Sequence, residues 1–169
     1  VIILVILGVG LYINSLHKLK IGAGVSYPDP KRTPGKLIDN LDINKTICNS
    51  SWRTGEIRPP SSYTSSLKIK QMKEYGFTGS PSAFEEDHVC SLTNGGDPVS
   101  PLNLWPQTYL QPGAREKDKL ELSVHKLICE KKITPLAACK RIANNWYQWY
   151  QEVFKGKLGS ETVIDTDDE

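Results

Sequence analysis

EEDHVCSLTNGGDPVSPLNLWPQ, residues 85 to 107, decides the reading of this chain. An acidic residue and a histidine stand side by side (Asp87, His88), a Gly-Gly pair follows at Gly95 and Gly96, and Asn103 comes later. The pattern predicts a β-hairpin: Phe84 to Leu92 outward, a turn at Asn94-Gly95-Gly96, and a return through Asn103 to Trp105. Strand neighbours point to opposite faces, so Asp87 and His88 can divide two tasks, one holding a cation and the other activating a water.

The segments on either side read as helical. Tyr63 to Tyr75 lines up Leu67, Ile69 and Met72 and meets Gly76 at its end. Downstream, Arg115 to Lys132 keeps Leu120, Val124, Leu127 and Ile128 on one side. Pro135 to Phe154 opens with Thr134 as N-cap and carries Leu136, Cys139, Ile142, Trp146 and Trp149 as a core-facing stripe. The expected fold class is α+β, a hairpin-plus-helix core flanked by additional helices and mostly helical overall. Ile47 to Pro60 reads as a short strand or irregular segment. Residues 22–46, rich in Gly, Pro and polar groups, read as a linker or an extended arm laid on the domain.

With 169 residues the chain can bury one ordinary core, here residues 47–155, and both ends look extrinsic to it. Residues 1–21 begin with the apolar run VIILVILGVGLYI, too short for a hydrocarbon core that takes roughly 20 residues, so a signal-peptide core or a membrane-anchor segment is expected. The protein is then exported, extracellular or periplasmic, or held at a membrane by that segment if it is not cleaved. Residues 156–169 form an acidic tail. The net charge of +2 neither demands nor excludes a polyanionic partner, although the four carboxylates of Asp165 to Glu169 mask a more basic body.

Cys48, Cys90, Cys129 and Cys139 contain no C-x-x-C pair, so zinc-ribbon spacing is missing. In an exported chain the even count suits two disulfides, with three connectivities open.

Phosphodiester hydrolysis calls for these residue types. A divalent cation offsets charge on the phosphoryl and leaving oxygens, while a neutral imidazole takes a proton from the attacking water. Asp87 is the candidate metal ligand and His88 the candidate base. Asn103 is placed to fix the histidine's loop or its orientation, and a carbonyl on one imidazole nitrogen would leave the other free as base. On the helix that follows, Asp118, Glu121 and His125 share one face as further candidate ligands, and Glu121 and His125 form an i, i+4 pair. Solvated carboxylates favoured by the helix dipole would account for Asp118 and Glu121 equally well.

Together with AREKDKLELSVHKLIC, the hairpin segment resembles the His-Asn-His (HNH) endonuclease superfamily with its ββα-metal core, and more narrowly small exported bacterial proteins of that type. The matching pieces are ICNSSW (Ile47 to Trp52), RPPSSYT (Arg58 to Thr64), DHVCSLTNGG (Asp87 to Gly96), NLWP (Asn103 to Pro106), KDKLE (Lys117 to Glu121) and HKLIC (His125 to Cys129). The resemblance implies His88 as general base, Asp87 as metal ligand and Asn103 as the central asparagine. It also implies a Cys48–Cys129 disulfide; Cys90 and Cys139 lie outside the usual positions and are a further candidate pair. The sequence departs from the pattern where Ile-Pro would follow the Asp-His pair, with Cys90-Ser91 in its place, and no histidine stands early in the last motif helix.

The implied cofactor is a divalent ion (Mg, Mn, Zn or Ni), and the implied partner is DNA. Lys68, Lys70, Lys73, Arg115, Lys117, Lys119, Lys131 and Lys132 are available to phosphates or to plain solvent. Nothing spells out base readout, so low sequence specificity is expected. No protein partner can be read from the sequence. The competing expectation is a non-catalytic secreted binding or structural domain that keeps the hairpin for packing.

Overall fold

The computed structural model describes residues 25–154. The apolar segment 1–21, the first residues of the arm and the acidic tail lie outside the described residues. Five regular elements follow in order: α1 (Ser61–Tyr75), β1 (Phe84–His88), β2 (Leu104–Thr108), α2 (Ala114–Cys129) and α3 (Pro135–Phe154). The fold is α+β and mostly helical, with β1 and β2 as one antiparallel pair. Asp87 lies opposite Trp105 and His88 opposite Leu104.

Local chemistry explains most boundaries. Pro59-Pro60 stops any helix from extending backwards, and α1 begins at the next residue. It ends at Gly76, whose φ of 70° is the left-handed turn glycine adopts without strain. At α2, the Glu116 carboxylate accepts the Gly113 N–H at 2.9 Å. At α3, Thr134 Oγ1 accepts the Ala137 N–H at 3.2 Å, ahead of Pro135.

Three expectations need correction. The strands are joined by a long loop, residues 89–103, because Val89 to Leu92 leave the sheet and curl into a 3₁₀ turn at Leu92–Asn94. The last helix is broken at Asn145 (φ −161°, ψ 73°), and the Asn145 side chain re-caps the second half by accepting the Gln148 N–H at 3.1 Å. Leu136 and Ile69, placed on apolar stripes, are exposed. In α1 the buried positions go to Leu67, Met72 and Gln71, and the Gln71 amide donates to the Pro101 carbonyl at 3.1 Å.

The main core lies between α2 and α3 and joins Leu120, Val124 and Ile128 to Ile142, Trp146 and Trp149, with Ile47 added from upstream. A smaller cluster of Val89, Cys90, Trp105 and Cys139 sits under the loop that follows β1. Residues 25–46 lie against the elements that follow. Trp146 Nε1 donates to the Ser26 carbonyl at 2.9 Å, the Asp29 N–H to the Tyr75 hydroxyl at 2.9 Å, and Leu37 pairs with Gly96.

Two disulfides close the structure. Cys48–Cys129 ties the segment before α1 to the end of α2, and Cys90–Cys139 ties the loop after β1 to α3. Disulfides suit an oxidising, extracellular-type environment. Among the described residues no helix is long and apolar enough to cross a membrane. The bonds span 81 and 49 residues, and loop-closure entropy grows only as the logarithm of that span, so neither dominates.

Replacing Cys48 or Cys90 by serine is expected to lower unfolding free energy by about 2–5 kcal/mol in urea titration. Non-reduced peptide mapping is expected to recover Cys48 with Cys129 and Cys90 with Cys139.

Candidate active site

β1 ends on Asp87 and His88, and the chain must then turn sharply to bring residues 89–97 back over the sheet. Asn103 holds that turn. It is fully buried, and its Oδ1 accepts the Cys90 N–H at 2.9 Å and the Lys36 N–H at 3.2 Å. Its Nδ2 donates to the Cys90 carbonyl at 3.0 Å and the Asp97 carbonyl at 2.9 Å. Gly95 has a φ of 89°, and a Cβ on Gly96 would run into the Cys90 carbonyl and the Asn103 amide. Gly95 is therefore required by its left-handed φ and Gly96 by a close backbone crossing. Of the two roles open to Asn103, the structure shows the loop-fixing one.

The histidine ring is oriented by a different group. His88 Nε2 lies 3.1 Å from the Pro98 carbonyl. A carbonyl can only accept, so Nε2 carries the hydrogen and Nδ1 keeps its lone pair. The ring is largely buried, and burial holds its pKa below the ordinary histidine value, opposed by the Pro98 contact and the Asp87 charge. The result is a neutral imidazole with one basic nitrogen.

Under the strand end lies Lys117, which is 1 % exposed. Its ammonium donates to Asp87 Oδ2 at 2.8 Å, to the His88 carbonyl at 2.7 Å and to the Glu121 carboxylate. Burial works against the charge, but Asp87 and Glu121 outweigh it and raise the Lys117 pKa above the ordinary lysine value. For Glu121 burial is the stronger influence and pushes the pKa up. Lys117 is thus an internal counter-charge, which corrects the expectation that it can pair with phosphates. Lys68 is partly spent as well, its ammonium 2.8 Å from the Phe84 carbonyl.

A cleft of about 90 Å³ opens over these groups, bordered by Glu86, Asp87, His88, Asp118, Glu121 and Arg58 among others. Asp118 is exposed at this cleft. Three of the four expected metal ligands, Asp87, Asp118 and Glu121, therefore share one site with His88. His125 is not among the residues that border it. Two turns further along α2, its Nδ1 lies 2.7 Å from the Thr93 carbonyl and its Nε2 3.9 Å from Cys129 Sγ, so it braces the 3₁₀ turn.

Sequence reasoning missed Glu86 and Arg58. Both carboxylate oxygens of Glu86 are buried without a hydrogen-bond partner, and burial pushes its pKa up to about 8. Arg58 is exposed beside the cleft. The signals were available in the Glu85-Glu86 doublet before Asp87 and in the arginine of RPP.

Whether these residues suit a divalent ion can be judged from their chemistry. Among the described residues no three or more His, Cys, Asp or Glu side chains are placed so that they could hold a metal ion together. The cleft nevertheless gathers Glu85, Glu86, Asp87, Asp118 and Glu121 against few cations, and Glu86 is an orphaned buried carboxylate. An oxygen-only set of this kind suits a hard ion such as Mg²⁺ or Mn²⁺, which keeps several ligand positions for water or substrate phosphate. The residues supply suitable oxygen chemistry, but as placed they do not fit such an ion.

Compared with models of known protein families, with curated protein sequences and with solved structures, the chain matches none.

Asn103→Ala would remove the side-chain partner of four backbone groups at once, the buried N–H and carbonyl of Cys90 and the part-buried Lys36 N–H and Asp97 carbonyl. It is expected to cost at least about 2 kcal/mol in urea unfolding, given about 1–3 kcal/mol for each unsatisfied buried group.

Proposed function

We propose that this chain is an exported, metal-dependent nuclease of HNH type that hydrolyses DNA phosphodiester bonds with little sequence preference. The observation that carries the reading is His88: a neutral imidazole oriented by the Pro98 carbonyl, next to Asp87, at a cleft lined with carboxylates. The resemblance of DHVCSLTNGG and NLWP to HNH motifs supports it further.

In this reading His88 Nδ1 accepts a proton from water as the water oxygen bonds to phosphorus and the bond from phosphorus to the leaving oxygen breaks. Lys117 fixes the His88 carbonyl from below and the Pro98 carbonyl fixes the ring from above, so the base does not have to be ordered during the reaction. A divalent ion, when bound, supplies positive charge against the charge that develops on the phosphoryl and leaving oxygens. The carboxylates of the cleft are not placed to hold that ion together as they stand, and Arg58 would pair with a phosphate of the incoming strand.

One observation favours a second reading. Asp87 and Glu121 are already satisfied by Lys117, which is how a hairpin kept only for packing would also bury them. That reading is a secreted binding or structural domain without catalysis.

Purified protein is expected to nick supercoiled plasmid with Mg²⁺ or Mn²⁺ and to stop on chelation. His88→Ala is expected to lower the rate by about 10²–10⁴-fold, the usual contribution of a general base. Nicking that survives the substitution would remove His88 from its role, and a folded protein that fails to nick with any divalent ion would favour the structural domain. Arg58→Ala is expected to weaken DNA binding uniformly across sequences and to reduce the salt slope by about one unit, the signature of one lost phosphate contact.

A further inference from the structure

A polyanion that crosses a cleft lined with carboxylates needs cations along its path, and α2 carries them on the face next to the site. At 3.6 residues per turn, Leu122, Arg115, Lys126 and Lys119 fall about 40–100° around the helix axis from Asp118, which is exposed at the cleft. All four are exposed, and they form one stripe about 16 Å long. The ion pairs that α2 makes among the described residues engage Lys117 and Lys126, the second only with Glu130 at 3.9 Å, so Arg115 and Lys119 are uncommitted.

Apolar side chains are interleaved with these cations. Tyr109 and Leu110, just past β2, are 42 % and 71 % exposed, and Leu122 is 66 % exposed. The Tyr109 hydroxyl lies by the Glu85 carboxylate, which borders the cleft, and Arg115 is near enough to act on it electrostatically. Gly113 packs against the Leu110 carbonyl and the Tyr109 backbone, which sets both residues against the start of α2. Apolar side chains exposed singly need no explanation. Here three of the eight large ones exposed among the described residues gather on one edge, between cations and beside the cleft.

We propose that this edge, from Tyr109 along α2 to Lys126, is a binding track for single-stranded DNA that leads into the cleft. The inference rests on the DNA-cleaving reading above and adds the form in which the substrate is held. A duplex turns its phosphates outward and keeps its base faces stacked inside, so it would use the cations and leave Tyr109, Leu110 and Leu122 in water. A single strand offers both surfaces: phosphates for Arg115 and Lys119, and open base faces for the Tyr109 ring and its aliphatic neighbours. Stacking of this kind accepts any base, in keeping with little sequence preference.

The test is fluorescence anisotropy of the full chain with a labelled mixed-sequence oligonucleotide, single-stranded or paired with its complement, in chelator so that nothing is cut. Wild-type protein is expected to bind the single strand severalfold more tightly than the duplex across a salt series. Arg115→Gln combined with Lys119→Gln is expected to weaken single-strand binding. It is also expected to flatten the slope of log affinity against log salt by about 1.4, two phosphate contacts at about 0.7 each. Tyr109→Ala is expected to lower single-strand affinity about fivefold or more, the loss of one stacked base, and to leave duplex binding unchanged. Lys70→Gln combined with Lys73→Gln removes the same charge from the exposed side of α1 and is expected to keep the wild-type slope.

A duplex bound by the wild type as tightly as the single strand would overturn the proposal without any variant. So would an α2 double variant whose affinity and slope match the wild type or the α1 control, or a Tyr109→Ala variant that binds both forms unchanged. In each of these cases the DNA-cleaving reading survives. No binding of either form by the wild type would remove that reading itself and this inference with it.

Discussion

An ammonium in a protein interior must have every donor matched or it drags the structure open to water. Lys117 meets that demand by pulling Asp87, the His88 carbonyl and Glu121 to one point, which joins the end of β1 to the first half of α2. Such a cluster is weak evidence for stability, since apolar residues of similar volume often serve as well, but losing one member leaves a buried charge uncompensated. Its consequence is geometric. With Lys117 in place the strand end cannot slide along the helix, and the functional side chains inherit that fixed relation.

Around this point the molecule is assembled from non-local ties. The Asn103 amide ties β2 to the loop over the site and to the arm. Cys90–Cys139 ties the same loop to α3, and Cys48–Cys129 ties α2 to the segment that precedes α1. The sheet has two strands among the described residues, and a two-stranded ribbon is marginal on its own. Here α1 packs on both strands, and the apolar seam between α2 and α3 provides the bulk of the buried surface.

Much of this was legible from local chemistry. Pro59-Pro60, Gly76, Thr134-Pro135 and the stripe at Cys139, Ile142, Trp146 and Trp149 act through their own backbone or helical period, and the structure follows them. Asp87 and His88 were legible as neighbours of complementary type. What periodicity does not carry is the direction in which a polar side chain settles. His125 and Glu121 are adjacent turns of one face, but one meets a backbone carbonyl at Thr93 and the other meets Lys117. Lys117 looked like any helix-surface cation because its burial is decided by β1, far away in sequence. Asn145 breaks its helix because its side chain can cap the following turn, a competition between backbone and side chain that a hydrophobic count does not register.

The arm adds a kinetic dimension to the second disulfide. At Gly35 the backbone runs so close that an added Cβ would stand 2.7 Å from Cys90 Sγ and 2.9 Å from Cys139 Sγ, and both cysteines are almost fully covered. Thiol–disulfide exchange needs a thiolate to reach one of the two sulfurs. With the Gly35 backbone lying against both sulfurs, the arm is part of what shields that bond from an external thiolate.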